Sequence, residues 1–541
     1  MPRRSTIIII LVSFILFLIR LNVCQHLFPD IFSYDFYGYI KLTRNIFNDL
    51  NFSVRWIQDN PIKYPPLFSI LTGLVNFLTK DDVVSMQYIN AFSTSFILVP
   101  LFFLVRNLLN EKSAILTVIF ITYYYGIQSP CYNLRADYFF SLLTITICWL
   151  TWKFSLAPRP LYFFLLGCLI SLAYLTKYLA ILYCPVVAIV IFCVFMRHCR
   201  GLRTSLKMVS FLMLGFLPIF IIYQAIFYGH RYQKVSDIGT YTFFDGNYRY
   251  EGRNFVKLNP EGTEFEYETN YKNNNVLVFC IHHPKLLWGK YVEGFKRMVR
   301  MLTVTMFPLT SRTQSINIHF SIQEALIVLL ILSMLYYKRH DKIALVLLFV
   351  LIMLGIPIYY TDPRYPMPFM SLYFILWLFV INIFFDYLNT KIINGHKNVL
   401  KFLASAIYIF FIFVYSMNCY RGEVSFLESK RTPPKEYLQA ASWIKEDSKK
   451  ALGNIKIMAW CNALAYLADV NFIRLPLTEG EQRIVHFAVL KKVNYIILVK
   501  TEIGQNRYQS LVKNISEDSH VRMVYRNQIF QNAVVIFKIL A

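Results

Sequence analysis

The chain alternates long uncharged apolar runs with short charged connections. The first run covers 7–23, directly behind Arg3 and Arg4. Others fall at 86–105, 113–128, 137–154, 161–176, 178–196 and 208–228, and then, past a long polar stretch, at 320–337, 343–360, 366–385 and 399–417. A helix rises about 1.5 Å per residue and a bilayer's hydrocarbon core is about 30 Å thick, so runs of this length suit membrane crossings. The pattern predicts a polytopic α-helical membrane protein with about eleven transmembrane helices. The first run has no small-residue cleavage site behind it and opens a series, so it reads as an anchor and not as a removed signal.

Three connections are large: 24–85, 229–319 and 418–541. If the N-terminus is cytoplasmic, the short inner loops carry Arg106 and Lys112, Arg159, Arg197 through Lys207, Lys338 and Arg339, and Lys391, Lys397 and Lys401. All are basic, as cytoplasmic loops tend to be. An odd number of spans then places all three large segments outside. Beyond Pro433-Pro434 the pattern changes. Tyr437, Ala440, Ala441 and Ile444 recur at helical spacing, and short apolar runs at 455–460, 495–499, 521–525 and 534–539 read as strands with helical stretches between. Residues 433–541 are therefore expected to form a small α/β extracytoplasmic domain beside a membrane domain at 1–420.

Composition narrows the classes. AVILMFWYC residues make up 56% of the 541 residues and charged residues only 16%, against roughly a quarter in soluble domains, which excludes a disordered chain. The net charge of +24 comes from basic residues that sit mainly between apolar runs. Their partners are then anionic headgroups of the membrane, and no nucleic acid is expected. Ten cysteines without a CxxC predict neither a zinc site nor a disulfide framework. His282-His283, followed by Trp288, Tyr291 and Phe295, reads as interfacial and not as a metal site.

Candidate chemistry gathers at the outer ends of the runs. Asp35 opens a segment in which Phe36, Tyr39, Ile40, Thr43, Ile46, Phe47 and Leu50 share one helical face, predicted to lie flat in the outer interface. An Asp in that place can also act simply as a helix cap. Lys63-Tyr64-Pro65-Pro66-Leu67 forms a rigid turn, because each proline fixes φ and removes a donor. Arg135, Asp137, Lys177, Asp362 and Arg364 fall near the same predicted face. A charge deep in a span costs about 2.5–3.5 kcal/mol on insertion scales, so such residues find partners, serve function, or snorkel to the surface.

Ser33-Tyr34-Asp35-Phe36-Tyr37-Gly38-Tyr39 resembles the first external loop of GT-C glycosyltransferases, and Tyr64-Pro65-Pro66-Leu67 resembles the turn that follows it. Leu134-Arg135-Ala136-Asp137, Leu175-Thr176-Lys177 and Asp362-Pro363-Arg364-Tyr365-Pro366-Met367-Pro368 look like further landmarks. The nearest branch holds protein O-mannosyltransferases and the lipid A aminoarabinose transferase. The resemblance implies transfer of a sugar from a polyprenyl-phosphate donor to a lipid, glycan or protein acceptor on the outer face, in a bacterial inner membrane rather than the endoplasmic reticulum. Asp35 matches the catalytic acidic position and Asp137 a second acidic position. Arg364, Lys177 and Lys63 are expected on the donor phosphate, with Tyr39, Tyr64 and Arg135 lining the pocket. Tyr64 stands between Lys63 and the proline pair, and Ile62 occupies a position that is acidic in the lipid A branch. No cofactor is predicted, and a divalent metal is left open. Charges at span ends also suit a transporter or lipid flippase, or a non-catalytic membrane scaffold. The sequence holds no internal repeat and no duplicated pair of broken helices to support the former.

Overall fold

Asp81 and Asn110 mark where two apolar runs become helices. The Asp81 carboxylate accepts from the N–H groups of Val83 (2.7 Å) and Val84 (3.1 Å), and the Asn110 side chain accepts from Ser113 N–H (2.8 Å). Each satisfies amide donors that have no partner within the helix. The computed structural model describes residues 2–31, 34–51, 64–126, 129–156, 158–197, 201–228, 276–306, 434–450, 455–477, 479–527 and 533–540, with parts of 54–62, 256–267 and 367–379.

In chain order the elements are α1 (Pro2–Cys24), α2 (Tyr34–Asp49), β1 (Val54–Ile57), β2 (Asn60–Ile62), α3 (Leu67–Thr79), α4 (Asp82–Phe96), α5 (Leu98–Leu108) and α6 (Glu111–Tyr125). Next come α7 (Ser129–Tyr132), α8 (Asp137–Leu156), α9 (Pro160–Tyr174), α10 (Tyr183–Arg197), α11 (Leu202–Tyr228), β3 (Val256–Leu258), β4 (Phe265–Tyr267), α12 (Val276–His282) and α13 (Pro284–Met306). The C-terminal part holds α14 (Lys435–Lys450), β5 (Lys456–Ala459), α15 (Ala463–Ala468), β6 (Asn471–Arg474) and α16 (Glu481–Leu490). It ends with β7 (Tyr495–Val499), α17 (Lys500–Ile503), α18 (Gln505–Ser516), β8 (Val521–Asn527) and β9 (Val534–Ile539). Two compact units result: Met1–Leu27, Pro65–Arg231 and Lys285–Glu428 form one, and Phe28–Tyr64, Tyr232–Pro284 and Ser429–Ala541 the other. The sequence assigns 24–85 and 229–319 to the membrane domain, whereas much of both belongs to the second unit.

Five helices among the described residues are long and apolar enough to cross a membrane: Arg4–Cys24, Asp82–Leu108, Asp137–Leu156, Tyr178–Met196 and Leu202–Ala225. α1 turns Ile7, Leu11, Phe14 and Leu18 outward, the apolar exposure that lipid accommodates. The runs at 113–128 and 161–176 form helices of 15 residues each, α6 and α9, shorter than a straight crossing requires. The runs at 320–337, 343–360 and 399–417 lie outside the described residues, and 366–385 is described only in pieces. On α13 the rings of Trp288 and Tyr291 stack at 5.9 Å, with Trp288 largely exposed, an arrangement suited to the headgroup layer.

Within the first unit, α9 and α11 approach at backbone distance. A Cβ on Gly167 would collide with Leu212 O and stand 2.9 Å from Phe216 N. One on Gly215 would collide with Phe164 O and stand 3.0 Å from Cys168 N. The obstructing atoms are backbone, so no rotamer change relieves them. Ser171 Oγ closes the same interface by donating to Phe216 O at 3.0 Å. Small residues serve membrane helices this way, since packing replaces the hydrophobic drive that lipid removes.

The second unit is built on a five-stranded sheet in the order β6-β5-β7-β9-β8, with β6, β5 and β7 parallel and β9 antiparallel to both β7 and β8. All five residues of β7 are buried, so helices cover both faces of the sheet. The sequence pattern misses β6, whose four residues bury only Ile473. The predicted face of α14 is realised, with Tyr437, Ala440, Ala441 and Ile444 all buried. Two carboxylates tie the loops to this layer. Glu479 accepts from Leu258 N–H at 3.1 Å and pairs with Arg483 at 2.6 Å. Glu502 accepts from Tyr437 O–H and from Cys461 N–H at 3.1 Å, and burial pushes its carboxyl up to about 7.

α2 differs from expectation. The sequence lays its apolar face in the membrane interface, but Phe36 is fully buried against Tyr466 and Tyr37 meets Phe472. Only the far end, Phe47 and Leu50, stays exposed. Protein covers the first turns because aromatic rings from α15 and β6 are available there, a contact that no local pattern encodes.

The glycine crossing yields a direct expectation. Gly215→Ala should lower stability by about 3 kcal/mol, the top of the usual overpacking range, because backbone must move. Thermal unfolding in detergent measures it.

Candidate active site

The site of the first unit begins with a broken helix. α9 ends at Tyr174, and the N–H groups of Thr176 (3.0 Å) and Lys177 (2.8 Å) both turn back to Ala173 O. A single 3-10 turn at Tyr178–Leu182 then leads into α10. The break leaves the Leu175 carbonyl pointing away from its own helix, and it accepts from Leu67 N–H at 2.9 Å. Leu67 follows Pro65-Pro66, where no N–H exists, and it opens α3. The first free donor after the proline pair is thus satisfied by the free acceptor of the break. Two motifs more than a hundred residues apart in sequence meet through one hydrogen bond.

The third motif joins them. Asp137 is the first residue of α8, and Lys177 Nζ donates to its Oδ1. The carboxylate is the more deeply buried partner, with 3% of its side chain exposed against 18% for Lys177. The α8 N-terminus also favours a negative charge there. Arg135 is half-buried in the turn just before α8. That turn is braced: Gln87 Nε2 donates to Cys131 O and Asn90 Nδ2 to Asn133 O, both at 2.8 Å, and Ser129 Oγ meets Tyr138 OH at 3.0 Å.

One buried ion belongs to none of the sequence motifs. Arg20 is fully buried in α1, donating to Ser95 Oγ at 2.9 Å and to Gly126 O at 2.6 Å. Gly126 ends α6 at φ 68°, ψ 179°, a backbone conformation open essentially to glycine alone. The available signal is the charge itself, near the end of an uncharged run.

In the second unit, Asp35 is the second residue of α2, and its side chain lies outside the described part. Tyr39 and Tyr64 are buried and meet edge to face at 5.2 Å. Lys63, Asp362 and Arg364 lie outside the described residues. The structure thus brings together Asp137 with Lys177, and Tyr39 with Tyr64. Among the described residues no group of three or more His, Cys, Asp or Glu side chains could hold a metal ion.

Residues 63–223 match the family model described as dolichyl-phosphate-mannose-protein mannosyltransferase, a stretch that holds the Pro-Pro turn, the Asp137 landmark and the α9 break. The whole chain is similar to ArnT from Cupriavidus metallidurans, solved bound to undecaprenyl phosphate. The TM-score is 0.54 at 11% identity, covering 98% of this chain and 97% of that one. It is also similar to the archaeal oligosaccharyltransferase AglB from Archaeoglobus fulgidus, solved with an inhibitory peptide and a dolichol-phosphate. There the TM-score is 0.52 at 12% identity, covering 90% of this chain and 69% of that one. The fold is that of the GT-C glycosyltransferase superfamily. No curated protein sequence matches the chain. Within this GT-C fold, the Asp137–Lys177 pair and the Leu67–Leu175 bond both fall in the family-matched segment.

The ion pair can be tested by a double-mutant cycle. Lys177→Met strands a buried carboxylate and should cost about 3–5 kcal/mol, while Asp137→Asn with Lys177→Met should recover most of that loss. Thermal unfolding of the three variants measures it, and additive losses would show that the pair is not coupled.

Proposed function

We propose that this protein is a membrane glycosyltransferase moving a sugar from a polyprenyl-phosphate donor to a lipid, glycan or protein acceptor on the extracytoplasmic face. The observation that carries the reading is the assembly of the Asp137–Lys177 pair beside the α9 break, inside the segment matched by a mannosyltransferase family. The proposed orientation has the N-terminus in the cytoplasm and the α/β layer outside.

In this reading Asp35 is the base. An acceptor hydroxyl attacks the anomeric carbon, its proton passes to the Asp35 carboxylate, and the bond from that carbon to the phosphate oxygen breaks. A single displacement inverts the anomeric centre. The departing polyprenyl phosphate is a weak base, so it needs cations and no proton donor. Arg364, Lys177 and Lys63 supply them. Lys177 brings a positive charge that favours the phosphate as well as the Asp137 carboxylate it pairs with. Asp137 then holds Lys177 in place for the phosphate, and Tyr39, Tyr64 and Arg135 line the sugar's surroundings.

Asp35→Asn keeps the size and polarity of the side chain in the first turn of α2. It removes the proton acceptor, so sugar transfer from a radiolabelled polyprenyl-phosphate donor should fall by roughly 10²-fold or more. Thermal stability should not move. Full turnover in this variant would remove Asp35 as the base. The same assay separates an enzyme from a transporter or scaffold, since only an enzyme releases the sugar from its lipid.

Arg364 is tested by charge geometry. A guanidinium grips phosphate bidentately and a Lys ammonium does not, so Arg364→Lys should weaken donor binding and slow transfer. Arg364→Ala should cost about 2–4 kcal/mol in the transfer barrier. Wild-type donor affinity and rate in the Lys variant would leave Arg364 as a headgroup anchor.

A further inference from the structure

The second unit carries more than an accessory layer. We infer that Tyr466 and Phe472 are positioning residues for Asp35, so that the α/β sheet holds the backbone that carries the proposed base. This inference rests on the reading of Asp35 as that base.

The geometry is specific. Asp35 is followed directly by Phe36 and Tyr37, in the first turn of α2. Phe36 is fully buried, with its ring 5.1 Å from that of Tyr466 at 81°. The Tyr37 ring stands 5.8 Å from that of Phe472 at 66°. Both are edge-to-face contacts, the preferred arrangement for aromatic quadrupoles. Consecutive residues point about 100° apart around a helix, so the two contacts together block rotation about the α2 axis. With the roll and the first turn held, the Asp35 backbone is held too.

Both supports belong to rigid elements. Phe472 lies in β6, in parallel register opposite Ile457 of β5. Tyr466 lies on α15, and the loop feeding that helix is pinned where Glu502 accepts from Cys461 N–H at 3.1 Å. The same carboxylate accepts from Tyr437 O–H on α14, so helix and loop share one anchor. Tyr466 and Phe472 are only half-buried, and neither belongs to the sheet's main apolar core around Met458, Ile473, Phe487 and Leu498. Their rings can therefore be removed without emptying that core. Displacing a catalytic group by about 1 Å can cost roughly 10²-fold in rate, so this mounting is sufficient to affect turnover.

The test uses the full-length protein and the radiolabelled polyprenyl-phosphate donor. Tyr466→Ala and Phe472→Ala should each lower kcat by about 10- to 100-fold with donor KM unchanged, while thermal stability falls only slightly, in step with the loss of one aromatic contact. Tyr466→Phe should restore kcat, because the contact uses the ring and not the hydroxyl. On an Asp35→Asn background the Ala substitutions should cost nothing further. Wild-type kcat in both Ala variants overturns the inference, and so does an equal fractional loss with and without the Asp35 carboxylate. If Tyr466→Ala does not fold, Tyr466→Leu, which keeps bulk without an aromatic edge, is judged by the same criteria. Full activity in Asp35→Asn would instead remove the base reading itself, whereas an impaired Asp35→Asn beside a fully active Tyr466→Ala would remove only this inference.

Discussion

A buried carboxylate is tolerable only with its counter-charge, and in the first unit this requirement joins Asp137 to Lys177. Meeting it demands that the α8 N-terminus and the α9 break lie side by side. The break then has a second consequence, because its freed Leu175 carbonyl needs a donor and receives Leu67 N–H. One electrostatic demand thus brings three sequence landmarks to one place. The polar bracing by Gln87, Asn90 and Ser129 holds the turn that presents Asp137, so the arrangement does not depend on the pair alone.

The remainder of the first unit keeps α9 where the pair needs it. Gly167 and Gly215 let α9 and α11 touch through their backbones. In lipid such close packing substitutes for the hydrophobic effect, which gains nothing from moving apolar side chains out of apolar surroundings. Arg20 is held in a similar way, its guanidinium donating to Ser95 and to the carbonyl that Gly126 exposes at the end of α6. Arg20 and the Asp137–Lys177 pair are positioned by what they hydrogen-bond, and those bonds span 40 or more residues in sequence.

In the second unit two carboxylates, Glu479 and Glu502, bind loops to a mixed sheet through N–H and O–H donors. The sheet in turn carries α2, so the helix that begins with Tyr34 and Asp35 is mounted on aromatic rings from α15 and β6. This changes the meaning of the C-terminal region. A segment that reads in sequence as separable from 24–85 shares a compact unit with residues 28–64.

Hydrophobic period and charge placement, both local quantities, were sufficient to locate the five long apolar helices, the buried face of α14 and four of the five strands of the C-terminal sheet. They also singled out Asp137 and Lys177, because an ion inside an apolar run is conspicuous wherever it occurs. They did not show that these two ions pair, that Leu67 bonds to Leu175, or that Phe36 faces Tyr466 and not lipid. β6 escaped because four residues with a single buried side chain carry no readable period. Arg20 escaped because, near the end of a run, a buried arginine and a snorkelling one look alike in sequence. An apolar face records only that water is avoided; whether lipid or protein covers it depends on which distant segment arrives there, and only the tertiary packing decides that.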